Sequence, residues 1–418
     1  MALLFLCLIF GTGRTQKIEA AVQNVSESLE EESRLDTVGT DQETERAAVR
    51  EKKGQQEKEA GDTETDQAAA AQDELLAELD FDAIQQEVDS LLSSQQFSFA
   101  GTVRSLLQDG DPFRTFRAGN AVLSCAKTAF LAQKGLMKEL FLLVLAGAVL
   151  GSFSSLFEGK QVRDASFYMV YLLALALILK NFQSSGENLK AVITSLVAFM
   201  RILTPSYYLA AAAAGGASSA VMFYQMLLLV ILAVEKLLLA LVLPMIHIYL
   251  LIALVNDLSG EEILSHMTEL LETCVNGLLK SSLGVLVGMQ MIRNLIAPAL
   301  DSLRQMALWR TAGMIPGIGN AVNAVTELVA GSAVLIRNCF GVTAMLVLLA
   351  AGMVPAVQLL VSGLSFRLLA AAAQPVSDKR IAGCLAAAGK GYAMLLRLLL
   401  TVEVLFLLTI AILAGTFS

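Results

Sequence analysis

Apolar positions along this chain follow two patterns. From residue 139 onward they form long, nearly unbroken runs: Leu140–Phe157, Phe167–Phe182, Leu237–Val255, Leu278–Ile296, Phe340–Phe366 and Tyr392–Leu413, with a shorter run at Ala220–Val234. Runs of about 20 apolar residues are long enough to cross the ~30 Å hydrocarbon core of a bilayer as helices. They lack the apolar/polar alternation of barrel strands, so helices are predicted throughout. Earlier in the chain the pattern is amphipathic. Leu75, Leu76, Leu79, Ile84, Val88, Leu91 and Leu92 recur at helical spacing among Glu and Asp. After a polar interruption at Ser93–Gln96, Phe99, Val103, Leu106 and Leu107 resume that spacing until Gly110-Asp111-Pro112 ends it. Phe113–Lys138 then reads as a basic, amphipathic stretch. The fold class is therefore all-α: a polytopic helical membrane domain over 139–418, preceded by a small amphipathic helical module over 74–138 at the membrane surface.

Within the membrane domain one arrangement occurs twice. Pro205 and Pro244 stand 39 residues apart, as do Pro316 and Pro355, and the two pairs are offset by 111 residues. Pro205 is followed by Ala210–Ala214 and Gly215-Gly216, and Pro316 sits in Ile315-Pro316-Gly317-Ile318-Gly319. These residues are the candidate hinges or helix breaks, with repeats spanning 187–296 and 299–414. Paired Pro/Gly-broken segments at matching positions are a hallmark of internally duplicated transport folds. Coincidence is the alternative, because Ala/Leu-rich runs resemble one another. In the first block Glu235-Lys236 divides a short arm, Ala220–Val234, from a full span, Leu237–Val255, as in a tight turn at the membrane surface. In the second, Asn320–Ile336 is the weaker arm and Phe340–Phe366 the span. Polar connections follow at Asn256–Glu262 and Gln374–Arg380, each leading to an amphipathic stretch and a last span. If the short arms cross the membrane, the blocks are inverted relative to one another; if they only dip in, the blocks are parallel.

Charge and composition refine the ends. The chain is 56% hydrophobic with mean hydropathy +0.64, values that exclude an ordinary soluble protein. The net charge of −8 comes mostly from acidic residues before residue 90. Residues 21–73 are rich in Glu, Gln, Thr and Ala without an aromatic, a composition that stays disordered. Residues 1–20 open on an apolar core, Ala2–Phe10, suited to a signal peptide, with a short uncleaved anchor as the alternative. Lys160 and Arg163 in the short 158–164 loop place that loop in the cytoplasm, which puts the N-terminal region outside. The five cysteines are scattered, with no C-x-x-C spacing, and indicate neither a disulfide framework nor a metal site.

Candidate chemistry is sparse. The chain carries no HExxH, P-loop, GxSxG or dinucleotide fingerprint, and the Gly313–Gly319 stretch follows no strand. His247, three residues after Pro244, reads as a core histidine. The sharper signal is ionisable groups among apolar residues, which normally face protein or water rather than lipid: Glu235, Lys236, Arg293, Arg337, Arg367 and Glu403. Arg293 and Arg337 near span ends are expected to snorkel. Glu403 sits inside the last span, six residues after Arg397, and is expected to face other helices. No catalytic, cofactor-binding or metal-binding residue is assigned.

Taken in order, Leu79-Asp80-Phe81-Asp82, the Phe97-Ser98-Phe99…Leu106-Leu107…Gly110 module, Pro205…Gly215-Gly216, Leu243-Pro244, Ile315-Pro316-Gly317-Ile318-Gly319 and Ala370–Gln374-Pro375 form a recognisable series. From about Leu79 to its end the chain resembles the stage III sporulation protein AE family of endospore-forming bacteria. It departs from the family in the acidic 21–71 segment and in lacking a basic stretch before the apolar N-terminal core. The resemblance implies a non-enzymatic, multi-pass subunit of a secretion-like channel complex in the outer forespore membrane. Its partners would be the other membrane proteins of the same sporulation operon, the forespore-side channel protein and the lipid bilayer, with no nucleic acid and no cofactor. The competing reading is a free-standing secondary transporter for a small solute, which the duplicated architecture suits equally. An intramembrane protease would need a placed Ser/Lys, paired Asp or metal site within the spans, and the sequence offers none.

Overall fold

A computed structural model describes residues 80–92, 97–109, 118–154, 160–213, 218–259, 264–312, 319–375 and 377–415. Side chains are not described at 108–109, 118–125, 150–167, 208–227 and 412–415, nor across 290–330 apart from 291, 292 and 295. The expected signal peptide and acidic segment, residues 1–73, lie outside the described residues. Among the described residues there are nine α-helices and no strand: α1 Phe81–Leu91, α2 Phe99–Asp109, α3 Ala118–Ser154, α4 Lys160–Ala213, α5 Ser218–Leu237, α6 Leu243–Ser259, α7 Ser265–Ala312, α8 Gly319–Ala373 and α9 Lys379–Gly415. A π-helical turn, Leu238–Val242, joins α5 to α6.

The helices are longer than the apolar runs predict, and three expected breaks are absent. Phe167–Phe182 and Asn188–Leu203, expected as separate elements, belong to one helix, α4. The polar stretch between them stays helical because its side chains bond along the helix. Gln183 Nε2 donates to Glu187 Oε1 at 3.1 Å, and Ser185 Oγ donates to the Asn181 carbonyl at 3.0 Å. Its single glycine, Gly186, costs a helix only about 1 kcal/mol. Glu235-Lys236 is likewise no turn. The chain passes through it as helix, so Ala220–Val234 is the first part of the same rod as Leu237–Val255. Both residues are good helix formers, and an adjacent apolar context offers no turn chemistry. Asn320–Ile336 and Phe340–Phe366 also merge, as α8.

Five described stretches are long and apolar enough to cross a membrane: Tyr168–Tyr207, Leu228–Ser259, Ser265–Met289, Gly331–Ala373 and Lys379–Ala411. The sixth expected span, Leu140–Phe157, begins in α3 and runs past the described residues.

Contacts fix the directions. Asn181 on α4 meets Tyr392 on α9, and the Tyr171 hydroxyl meets the Cys384 thiol, so α4 and α9 run the same way. Tyr171 donates to the Leu254 carbonyl while Gly186 meets His247, so α6 runs opposite to them. Phe340 packs on Tyr207 and Phe366 on Tyr392, so α8 also runs opposite. Lys390 pairs with Glu272 at 3.6 Å and Arg397 donates to Asn276 at 3.0 Å, so α7 runs with α9.

The polar connections act as caps. Asn256 Oδ1 accepts from the Leu264 N–H at 2.8 Å, opening α7. The Asp378 carboxylate accepts from the Arg380 N–H at 3.0 Å, opening α9.

The amphipathic module is not free-standing. Ile84 and Val88 of α1 and Phe99 and Val103 of α2 are fully buried and belong to the same apolar core as the membrane helices. The two helices are tied by Gln85, whose Nε2 donates to the Phe97 carbonyl and whose Oε1 accepts from the Phe99 N–H. Phe81 and Phe99 then close on Phe340, with ring centroids 6.1 and 5.0 Å away. The module is thus seated on α8 and on the Tyr207 end of α4.

Candidate functional site

Three polar contacts inside the bundle frame the candidate site, and glycines make room for two of them. The first joins α4, α6, α8 and α9. Asn181 Nδ2 donates to the Tyr392 hydroxyl at 2.6 Å, and Ser185 Oγ lies 3.2 Å from the same oxygen. The Tyr392 ring stacks on Phe366 and meets Phe182 edge-on, both at 5.2 Å. His247 sits beside it, with Nδ1 2.9 Å from the Leu243 carbonyl and its ring edge-on to Phe182 at 5.3 Å. A Cβ on Gly186 would fall 2.5 Å from His247 Nε2, so only glycine admits the ring. His247 is therefore a half-buried histidine packed between α4 and α6. Removing the Tyr392 hydroxyl takes the partner from the half-buried Asn181 amide, which costs about 1 kcal/mol. Tyr392→Phe is expected to lower the thermal unfolding temperature of the purified protein.

The second contact joins α8 to α9 at mid-span. Glu403 is 7% exposed and its carboxylate rests against Gly352, in the space a Cβ there would occupy. Pro355 lies in α8 one turn further on. Proline has no N–H, so the Ala351 carbonyl lacks its usual intrahelical donor. The Glu403 carboxyl and the freed carbonyl therefore stand near one level of two facing helices. Arg397 does not join them, because it points the other way, to Asn276.

The third is Arg337, expected to snorkel and instead fully buried. It faces Tyr207 of α4, one turn before Phe340, beneath the seated α1–α2 module. Packing of the surrounding helices leaves the Arg337 side chain no route to solvent, so it does not snorkel.

Of the other sequence candidates, α4 continues through Pro205 and α8 through Pro355. Pro244 is the second residue of α6, directly after the π turn. A π turn shifts the hydrogen-bond register by one residue; here the Leu243 N–H bonds to the Leu238 carbonyl, next to the position where proline offers no donor. Gly319 opens α8. Gly215, Gly216, Pro316 and Gly317 lie outside the described residues, as does the side chain of Arg293. Glu235 is half-buried and Lys236 exposed. Arg367 is exposed, with its methylenes against Gly389. Among the described intramembrane candidates, Glu403 alone sets its charged end against a glycine of another helix. Asn181, Ser185, Gly186, Gly352 and Tyr392 carry no signal in the sequence. Each is an ordinary helix residue in its own segment, and only pairing across helices reveals it.

These helices define a multi-pass α-helical membrane protein in which polar groups such as Asn181, Tyr392 and Glu403 meet other helices inside the bundle. Residues 97–416 match the family described as Stage III sporulation protein AE. The chain belongs to that family. It is similar to Stage III sporulation protein AE of Bacillus subtilis (strain 168), at 22% identity over 291 residues, covering 69% of this chain and 73% of the relative. No solved structure matches it.

Proposed function

We propose that this chain is a non-enzymatic membrane subunit of a secretion-like channel complex linking mother cell and forespore, needed for forespore development after engulfment. The observation that carries this is the family match, which runs from Phe97 in the surface module through the last span. The match thus includes α2 of the module seated on the bundle as well as the spans, as suits a subunit that assembles with others. Its partners are the other membrane proteins of the same sporulation operon and the forespore-side channel protein, and its location is the outer forespore membrane.

The orientation has support from two sides. The α1–α2 module sits at the Tyr207 end of α4, while Lys160 and Arg163 stand at the other end, and short basic loops face the cytoplasm. The module is then extracytoplasmic. The duplicated blocks are parallel. In each, a Pro-bearing helix (α5–α6 with Pro244, α8 with Pro355) leads through a polar connection to a helix of opposite direction, α7 or α9.

Deleting the gene in its spore-forming host is expected to abolish heat-resistant spores and late forespore gene expression, with both restored by the intact chain. Normal spore yield in the deletion strain would overturn the proposal. Solute uptake by the purified chain alone, reconstituted in vesicles, would favour the transporter instead.

A further inference from the structure

We propose that the outer face of α4 lines a water-filled path at bilayer depth. Lys180, Gln183, Ser184, Glu187, Thr194 and Arg201 are all exposed, and their spacing places them on one side of the helix. Phe182, Leu189, Ile193 and Leu196 on the other side are buried in the core.

The contacts already described fix the depth of this face. Gly186 touches His247, and the next residue of α6, Ile248, is 50% exposed. Tyr392, bonded to Asn181 and Ser185, lies against Gly363 of α8, whose neighbour Leu364 is 56% exposed. Since α4 and α9 run the same way, Glu187 and Thr194 stand beside the part of α9 that follows Tyr392, where Leu400 and Val404 are exposed. At one level, then, α6, α8 and α9 present Ile248, Leu364, Leu400 and Val404 outward, interrupted by Arg367 and by Lys390 and Arg397, which reach to Glu272 and Asn276 of α7, while α4 presents a row of Ser, Gln and Glu. The apolar faces suit lipid. The α4 face does not, because charges and amides in hydrocarbon are costly unless they meet water or protein. The face continues as Thr194 and Arg201, over the length of a membrane crossing, so a single polar contact does not account for it. Its assignment to a conduction path rests on the channel-subunit reading; contact with water is read from the fold itself.

The test uses the full chain with its five native cysteines replaced, in permeabilised membrane vesicles, labelled by a hydrophilic maleimide. Single cysteines are introduced as Ser184→Cys, Glu187→Cys and Thr194→Cys on α4. Ile248→Cys and Leu364→Cys serve as lipid-facing controls at the same depth, and Asp82→Cys as an exposed control on α1. Maleimides react with the thiolate, which forms in water and not in hydrocarbon, so the α4 positions are expected to label at least about tenfold faster than Ile248→Cys and Leu364→Cys. Equal, slow labelling of α4 and the lipid-facing controls while Asp82→Cys reacts would overturn the proposal. So would fast labelling of all positions, which would put this level outside the bilayer. Neither result depends on spore yield, so the water path and the sporulation role fail separately. Ser184→Cys adds almost no volume at an exposed position and keeps the test available if a larger change disturbs folding.

Discussion

Gly352→Ala is expected to destabilise the protein by about 1–3 kcal/mol, the usual cost of overpacking, and Glu403→Ala in the same chain is expected to recover most of the loss. The added methyl would take the place of the Glu403 carboxylate. Glu403 has rotatable bonds, but it is 7% exposed and flanked by Val402 and Phe406, both buried. Any displacement drives its carboxyl among apolar side chains, which costs more than the original contact. Removing the carboxylate empties the space the methyl needs. Thermal unfolding of the two single variants and the double variant in the same detergent gives the coupling. Residues in direct contact couple by about 0.5–3 kcal/mol, and simple additivity of the two changes would show that Glu403 does not rest on Gly352.

Phe340→Ala is expected to release the α1–α2 module from the bundle. Phe340 is fully buried where three rings converge: Phe81 at 6.1 Å, Phe99 at 5.0 Å and Tyr207 at 6.2 Å. Truncating a buried Phe typically costs about 3–5 kcal/mol, and here the loss falls on the seam between the module and α8. Two helices of 11 residues each do not hold together in water without that seam, since isolated helices below ~12–15 residues are marginal. Amide hydrogen exchange over residues 81–109 should accelerate by at least about a hundredfold, the factor that some 3 kcal/mol implies, while α9 keeps its protection. Unchanged exchange over 81–109 would show that the module is held by other contacts. The same measurement on Phe366→Ala, whose ring packs on Tyr392 at the other side of the bundle, should leave the module's exchange untouched.

Much of this protein is legible in its pattern of residues. Continuous apolar runs announce the spans, because only helices satisfy their own backbone in lipid. Leu/Ile/Val spacing announces α1, whose Ile84 and Val88 are the buried positions. Asn256 and Asp378 lie in the polar connections that the pattern marks, and they cap the helices that follow. Segment ends are less legible. Gln183–Glu187 and Glu235-Lys236 look like interruptions by hydropathy, yet their side chains are compatible with helix. Hydropathy reports where a residue prefers to be, and helix continuity depends on whether the backbone is forced to turn.

By itself the sequence determined the class: a many-span helical membrane protein with an amphipathic module before it, and the family series from Leu79 onward. The tertiary structure alone decided what the polar residues inside it do. Glu403 and Arg337 are equally conspicuous as charges in apolar runs, but Gly352 and Tyr207, which receive them, lie in other helices. The polar face of α4 became meaningful only when Gly186 and Asn181 fixed its level against Ile248 and Leu364. Burial preference is a property of each residue and can be read one position at a time. Partnership and depth belong to pairs of residues far apart in the chain, and no local pattern encodes them.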